Sequence, residues 1–494
     1  MTIYQSGQLN TNSLNVPDLY VQILKPQSLA LNGVSTGRIG LVGTATWGPV
    51  GTPVIVGAMG DCLSAFGPKQ ALASDIGTAV NIAIMQGASD FRCVRVTDGT
   101  DAAATGTLDG VTLTAIHTGS AGNAISATLA QDAIITTNYT LAISHATLGS
   151  RSYRGATWAV LAAAVAADST ALVRVGLPTT VPALAAGAVT LAGGADGAAP
   201  APAAYVGTDG VTRTGLYALR GQGCALGLLA GVSDSTCWTA QAAFGLGEGL
   251  YMIACGPAGD GIASAVAAKA AAGLDSYAVK LMFGDWLWWD DDTNGLMLVP
   301  PQAFVAGLLG GLSPEQSSLN KELYGVVGSQ KAGLVSGGTS QTYSTAELSA
   351  LFAAGIDVIC NPAPGGSYWA VRGGINTSSD DVTDDDSYTR LTNYIAETLN
   401  AGMGAFVGEV IGTALFGDIR AVLLGTLSNM AGSGILASAS WAVVCDATNN
   451  PQSETALGYV RADVQVRYQG INRFFVVNLQ GGASVTVSTA TTAS

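Results

Sequence analysis

The sequence predicts an α/β and α+β multidomain protein: a central α/β sandwich domain, a β-rich inserted domain, and a C-terminal α+β domain with extended N- and C-terminal strand arms. Three observations carry this. Apolar runs of strand length alternate with helical patterns along 39–96 and again along 226–282, the rhythm of a mainly parallel sheet. Between these stretches, over 100–202, the composition turns to Ala, Gly and Thr in short alternating runs, which indicates small strands joined by glycine turns. At 494 residues the chain also exceeds what a single core accommodates.

Taken in order, residues 1–16 are polar and unpatterned, and Val16-Pro17 opens an extended run through Leu19, Val21 and Ile23, an arm leading into a strand. Uninterrupted apolar residues at 39–42 and 54–56 predict two buried strands. Ile76, Ala79, Val80, Ala83 and Ile84 recur at helical spacing, with Ser74 or Asp75 as cap and Gly87 as terminator. A strand over 91–96 completes a β-β-α-β start. In the insertion, 111–115 and 133–136 are the alternating runs, and the linker Gly193-Gly194-Ala195-Asp196-Gly197-Ala198-Ala199-Pro200-Ala201-Pro202 closes it. Strands are then expected at 226–230, 250–254 and 278–282, with helices at 236–245 and 262–272. Leu391, Tyr394, Ile395 and Leu399 mark one face of a helix over 388–399. The uncharged stretch 421–445 is broken by Thr426, Ser428, Asn429, Ser433 and glycines, so it predicts a buried helix, a turn and a strand rather than a membrane span. Val460, Ala462, Val464, Val466 and Tyr468 alternate with polar residues, a strand with one wet face. The chain ends in a strand-like tail at 484–488, containing Val485 and Val487, that has nothing left in its own sequence to pair with.

Charged residues make up 11% of the chain while 48% is hydrophobic, so much of the surface must be neutral. That suits a subunit covered by copies of itself. A net charge of -14 with no basic patch argues against a nucleic-acid partner, whose phosphates demand Lys and Arg. The seven cysteines (Cys62, Cys93, Cys224, Cys237, Cys255, Cys360, Cys445) form no CxxC pair and are odd in number, which predicts buried thiols in a reducing cytoplasm. The start, Met1-Thr2-Ile3-Tyr4-Gln5, shows neither the basic nor the apolar region of a secretory signal.

Four motifs look chemical. Gly33-Val34-Ser35-Thr36-Gly37 matches a nucleophile elbow, but a strand follows where a helix is needed, and the two histidines, His117 and His145, lie in the insertion. Asp290-Asp291-Asp292-Thr293-Asn294-Gly295 begins like a calcium-binding loop, yet its twelfth position is Pro301 instead of a bidentate glutamate. The aspartates at 380–381 and 384–386 read as a solvated charge run. Gly256-Pro257-Ala258-Gly259-Asp260-Gly261 lacks the lysine of a phosphate loop and reads as a βα turn. No catalytic residue, metal ligand or cofactor fingerprint is expected, and the chain is read as no enzyme.

Several stretches, in order, resemble the contractile phage tail sheath family, especially its Mu-type branch. They are Val16-Pro17-Asp18-Leu19-Tyr20-Val21, then Gly40-Leu41-Val42-Gly43-Thr44-Ala45 with Gly48-Pro49 and Phe66-Gly67, and Gly87-Ala88-Ser89-Asp90-Phe91-Arg92-Cys93-Val94-Arg95-Val96. Further on come Val299-Pro300-Pro301-Gln302-Ala303-Phe304-Val305-Ala306-Gly307, Asn361-Pro362-Ala363-Pro364-Gly365-Gly366-Ser367-Tyr368-Trp369, Asn376-Thr377-Ser378-Ser379 and Tyr388-Thr389-Arg390. Asp18 stands where the family often has glycine, and Met282-Phe283-Gly284-Asp285 lacks the usual tyrosine and proline.

The resemblance implies a tail sheath subunit that polymerises as stacked hexameric rings around the tail tube and contracts to drive the tube through the host envelope. It implies a terminal arm at 1–18, a core domain at 19–99 plus 203–370, an outward-facing insertion at 100–202, a tube-facing domain at 371–480 and a second arm at 481–494. The expected partners are further copies of the chain joined by strand exchange, the tail tube protein, and baseplate and tail terminator proteins, with no nucleic acid and no membrane insertion. Assembly is expected in the host cytoplasm and residence in the virion tail. Leu19, Val21, Ile23, Val485 and Val487 are the candidate inter-subunit strand residues, and Arg461, Arg467 and Arg473, locally basic in an acidic chain, are expected to face the tube or a neighbour. The competing readings are an α/β hydrolase or transferase, which needs a histidine or metal near Ser35 or the Gly256 turn, and a self-assembling shell protein, which should carry an export signal.

Overall fold

In the computed structural model, which describes residues 3–6, 20–23, 31, 33–334, 343–477 and 479, the chain is built around a six-stranded sheet. Its order is Val279–Met282, Tyr251–Cys255, Leu226–Leu229, Ile39–Gly43, Phe91–Arg95, Val54–Val56. The first five run parallel and Val54–Val56 is an antiparallel edge. Every residue of the five parallel strands is buried. Burial on both faces is why they read as mainly apolar runs with no polar alternation, broken only by the buried charges Arg92, Arg95 and Lys280.

Helices cover both faces. On one side Met59–Phe66, Ile76–Met85 and Gln302–Gly311 pack against Ile39, Leu41, Phe91, Leu226 and Ile253. On the other, Trp238–Glu248, Ile262–Ala272 and Thr345–Ala353 pack against Val42, Val94, Leu229, Met252 and Leu281. The Ile76–Met85 helix is capped by Asp75, whose carboxylate accepts the Thr78 N–H at 2.8 Å, and it is followed by Gly87 at φ +108°. The Met59–Phe66 helix was not foreseen, so the start is β-β-α-α-β. Ala58 at its N-cap position brings no side-chain oxygen, and only Cys62 and Phe66 of the helix are buried, too few to set a pattern.

The inserted segment has its own core of Leu113, Ile125, Leu129, Leu141, Ile143, Trp158 and Leu161. A four-stranded sheet runs Gly149–Gly155, Tyr139–His145, Ser126–Gln131, Gly187–Thr190, and a three-stranded one Val173–Gly176, Val111–Ala115, Thr105–Leu108. The expected run at 133–136 is a turn. The Asp132 carboxylate accepts the N–H groups of Ile134 (2.9 Å) and Ile135 (3.0 Å), leaving Ile134 90% exposed. Local side-chain to backbone bonding outweighs the β preference of two isoleucines here. A helix at Trp158–Ala167, capped by Thr157, lies among the strands.

Past a four-stranded sheet that includes Leu287–Asp291 and Gly295–Val299, the helices Asp386–Met403 and Thr413–Gly432 pack on an antiparallel pair, Trp441–Val444 with Asp463–Val466. Leu391, Ile395, Leu423, Leu427 and Val443 form this core. The strand expected over 460–468 is confined to Asp463–Val466. Val464 and Val466 are half-buried and Gln465 exposed, as alternation requires, but Ala462 is exposed. Among the described residues no helix is long and apolar enough to cross a membrane.

Candidate functional site

In an open parallel sheet, ligands bind beyond the carboxyl ends of the strands where strand order reverses. Here the reversal lies between Ile39–Gly43 and Leu226–Leu229, and the chain itself occupies the crevice. The Thr44 N–H donates to Ser74 O at 2.8 Å, and the Ile76 N–H donates to Thr44 O at 2.9 Å. A Cβ at Gly43 would lie 2.7 Å from Ser74 O, and one at Gly231 (φ +69°) 2.8 Å from the Ala73 carbonyl carbon. The space left beside Ala73 and Gly231 is about 10 Å³, no more than one water molecule occupies. Asp75, 1% exposed, lies in this plug, and burial pushes its carboxyl up to about 7 despite the hydrogen bonds from Thr78 and Gln70.

The motifs that look chemical find structural partners instead. Ser35 is exposed at the opposite, amino end of the sheet. His117 lies edge-on to Trp47 and is held down to about 4 by burial and by Arg95, while His145 Nδ1 accepts the Thr147 and Leu148 N–H groups. Residues 290–295 form the turn between Leu287–Asp291 and Gly295–Val299, where Lys69 is ion-paired with Asp291 and Asp292. Residues 256–261 are the expected βα turn before Ile262–Ala272. Among the described residues no group of three His, Cys, Asp or Glu side chains could hold a metal ion. All seven cysteines are buried and unbridged.

The solvated reading of the acidic run fails at Asp386, which is fully buried. Lys280, on the outermost parallel strand and also fully buried, donates to Asp357 (2.6 Å), Asp386 (3.0 Å) and Ile375 O (2.9 Å). Asp386 further accepts from Tyr251 at 2.6 Å and from the Ser318 hydroxyl and N–H. Asp357 takes the N–H groups of Gly373 and Gly374, each at 2.7 Å. Burial alone would raise the Asp386 carboxyl, but Lys280 and these hydrogen bonds override it and hold it below the ordinary range. One turn on, the Arg390 guanidinium donates to Leu312 O (2.7 Å), Ser313 O (2.9 Å) and Gln316 O (3.4 Å). A set of buried charges with satisfied hydrogen bonds thus ties the first turn of the Asp386–Met403 helix to the central sheet.

No protein-family model matches the chain, and no curated protein does. Solved structures do match. The sheath tail protein from Listeria innocua aligns at TM-score 0.62 and 15% identity over 84% of this chain and 89% of its own. The sheath tail protein from Desulfitobacterium hafniense aligns at 0.59 and 16% over 87% and 92%. This chain has the sheath tail protein fold. The PVC sheath complex of an extracellular contractile injection system, in its contracted state, aligns at 0.56 and 13% over 96% and 99%.

Within the sheath fold, the predicted assembly residues fall in different settings. Val21 and Ile23 lie in Tyr20–Ile23, which pairs in parallel with Ile3–Ser6 of the same chain. Leu19, Val485 and Val487 lie outside the described residues. Arg473 grips Asp384 with Nη1 and Nη2 (both 2.9 Å) and Asp385 with Nε (3.0 Å), so its charge is engaged within the chain. Arg461 is 3.3 Å from Glu454, and Arg467 is exposed. The apolar run that follows Arg473 stands exposed: Phe474 (86%), Phe475 (83%), Val476, Val477 and Leu479. Four large apolar side chains at adjoining positions, with Leu479 one residue on, were visible in the sequence as a signal of their own.

Proposed function

We propose that the chain is the sheath subunit of a contractile phage-type tail, assembling as stacked hexameric rings around the tail tube and shortening to drive the tube through the host envelope. The observation that carries this reading is the exposed apolar residues 474–477 and 479, on a chain with the sheath fold. Such a patch on a weakly charged protein demands a cover. The cover we assign is the edge of a two-stranded sheet, Trp441–Val444 with Asp463–Val466, in a neighbouring copy. A two-stranded sheet is marginal alone and has open edges on both sides, and an added strand supplies backbone hydrogen bonds that survive rotation of whole subunits.

The N-terminal strands, with Val21 and Ile23, and the tail with Val485 and Val487 are assigned to the same exchange. Arg461 and Arg467 are assigned to face the tube or a neighbour. The inserted domain, 100–202, is placed outward and 371–480 toward the tube, with baseplate and terminator proteins at the ends of the cylinder. A hydrolase or transferase is disfavoured by the plugged crevice and by histidines confined to the insertion. The test is sedimentation of the purified chain and of the double variant Phe474→Ser/Phe475→Ser. Wild type should sediment as polymer and the variant as monomer with an unchanged melting temperature. A variant that polymerises like wild type contradicts the proposal.

A further inference from the structure

A second cleft, of about 310 Å³, opens at the amino end of the parallel sheet, between the starts of Leu226–Leu229 and Tyr251–Cys255 and the flank of the Asp386–Met403 helix. Ser35, Gly223, Glu248, Asn393, Tyr394 and Glu397 are among its lining residues. Asn393 and Glu397 are four residues apart on that helix and so face the cleft together. Two of its polar groups are unsatisfied. Asn393 Nδ2 is buried and has no hydrogen-bond acceptor among the described residues. Glu397, half-buried, has no hydrogen-bond or ion-pair partner among them, whereas its neighbour Glu248 is taken by Arg220 Nε at 2.6 Å and the Gly221 N–H at 3.3 Å. Burial, and then the Glu248 carboxylate, push the Glu397 carboxyl above its ordinary range.

The absence of a side chain at Gly249 leaves room for Glu397. Gly249 turns at φ +67°, and a Cβ there would lie 3.0 Å from Glu397 Oε1, so the carboxylate rests over bare backbone. The one cation in the lining among the described residues, Arg390, spends its guanidinium on Leu312 O, Ser313 O and Gln316 O. Among the described residues, what is left is one unmatched acceptor bearing negative charge and one unmatched amide donor, a helical turn apart in a cavity of side-chain size. Groups left unpaired in this way are costly unless a ligand satisfies them.

We propose that this cleft binds one basic amino-acid residue, its guanidinium or ammonium group on Glu397 and a main-chain carbonyl on Asn393 Nδ2. The residue comes either from a neighbouring copy of the chain or from a free basic peptide. The probe is Nα-acetyl-arginine N-methylamide, titrated into the dispersed full-length chain by calorimetry, with the leucine analogue as control. Saturable binding of the arginine probe alone is expected, weaker by about tenfold in Glu397→Gln, since a charge-assisted hydrogen bond is lost. Asn393→Leu should weaken it as well, with both variants keeping the wild-type melting curve. Repeated on assembled polymer, loss of probe binding assigns the residue to a neighbouring copy and retention assigns it to free peptide; either result upholds the cleft. No saturable binding, or equal affinity in wild type and Glu397→Gln, overturns it.

Discussion

At the scale of single residues, the strongest commitments are buried charges. Lys280 balances Asp357 and Asp386 with no exposure on any of the three. Lys280→Ala leaves two carboxylates without a countercharge and should destabilise the chain by about 3–5 kcal/mol in urea unfolding. Asp75 makes the opposite kind of prediction. Its folded carboxyl titrates near 7 against an ordinary 3.8, so the folded state holds the proton more tightly. Its contribution to stability is therefore full below the ordinary carboxylate range and is lost as pH rises toward 7. Thermal melts of wild type and Asp75→Asn across this window should diverge, the variant gaining relative stability as pH rises while keeping its cap on Thr78. Equal melting shifts at every pH would contradict the assignment. Asp75 was legible as a cap but not as a buried carboxyl, and the Lys280 pairing was not legible at all. Lys280 meets Asp386 across 106 positions, and Asp386 sits in a run of aspartates that local pattern cannot sort into wet and dry members.

Elements were more legible, for a physical reason. Strands buried on both faces are mainly apolar, so 39–42, 91–96, 226–230, 250–254 and 278–282 announced themselves despite Arg92, Arg95 and Lys280, and each became a parallel strand. The Asp386–Met403 helix showed its stripe because Leu391 and Ile395 serve one core while its other faces meet different neighbours. Short helices such as Met59–Phe66 bury too little to show a period. Packing between elements was also hidden. Gly307 on the Gln302–Gly311 helix lets it rest on Ile76–Met85, where a Cβ would lie 2.5 Å from Ala83 Cα and 2.6 Å from Ala83 O. Because that obstacle is backbone, Gly307→Val should lower stability by about 1–3 kcal/mol in chemical denaturation, and a neutral result would show that the two helices separate freely.

At the scale of the whole molecule, the folded chain is held by cores that its sequence largely accounts for, yet its surface is incomplete. With 11% charged residues and an exposed apolar run near its C-terminus, it has the surface that the proposed assembly of copies would cover. The rigid tie through Lys280 and Asp386 makes the Asp386–Met403 helix the member through which a turn of the core would carry the C-terminal part of the chain with it. The exposed run is where such motion would pass to the next copy. The direct test is electron microscopy of the purified wild-type chain beside Phe474→Ser/Phe475→Ser. The account predicts stacked rings or cylinders for wild type and dispersed single particles for the variant. Dispersed particles in both preparations, or cylinders in both, would contradict it.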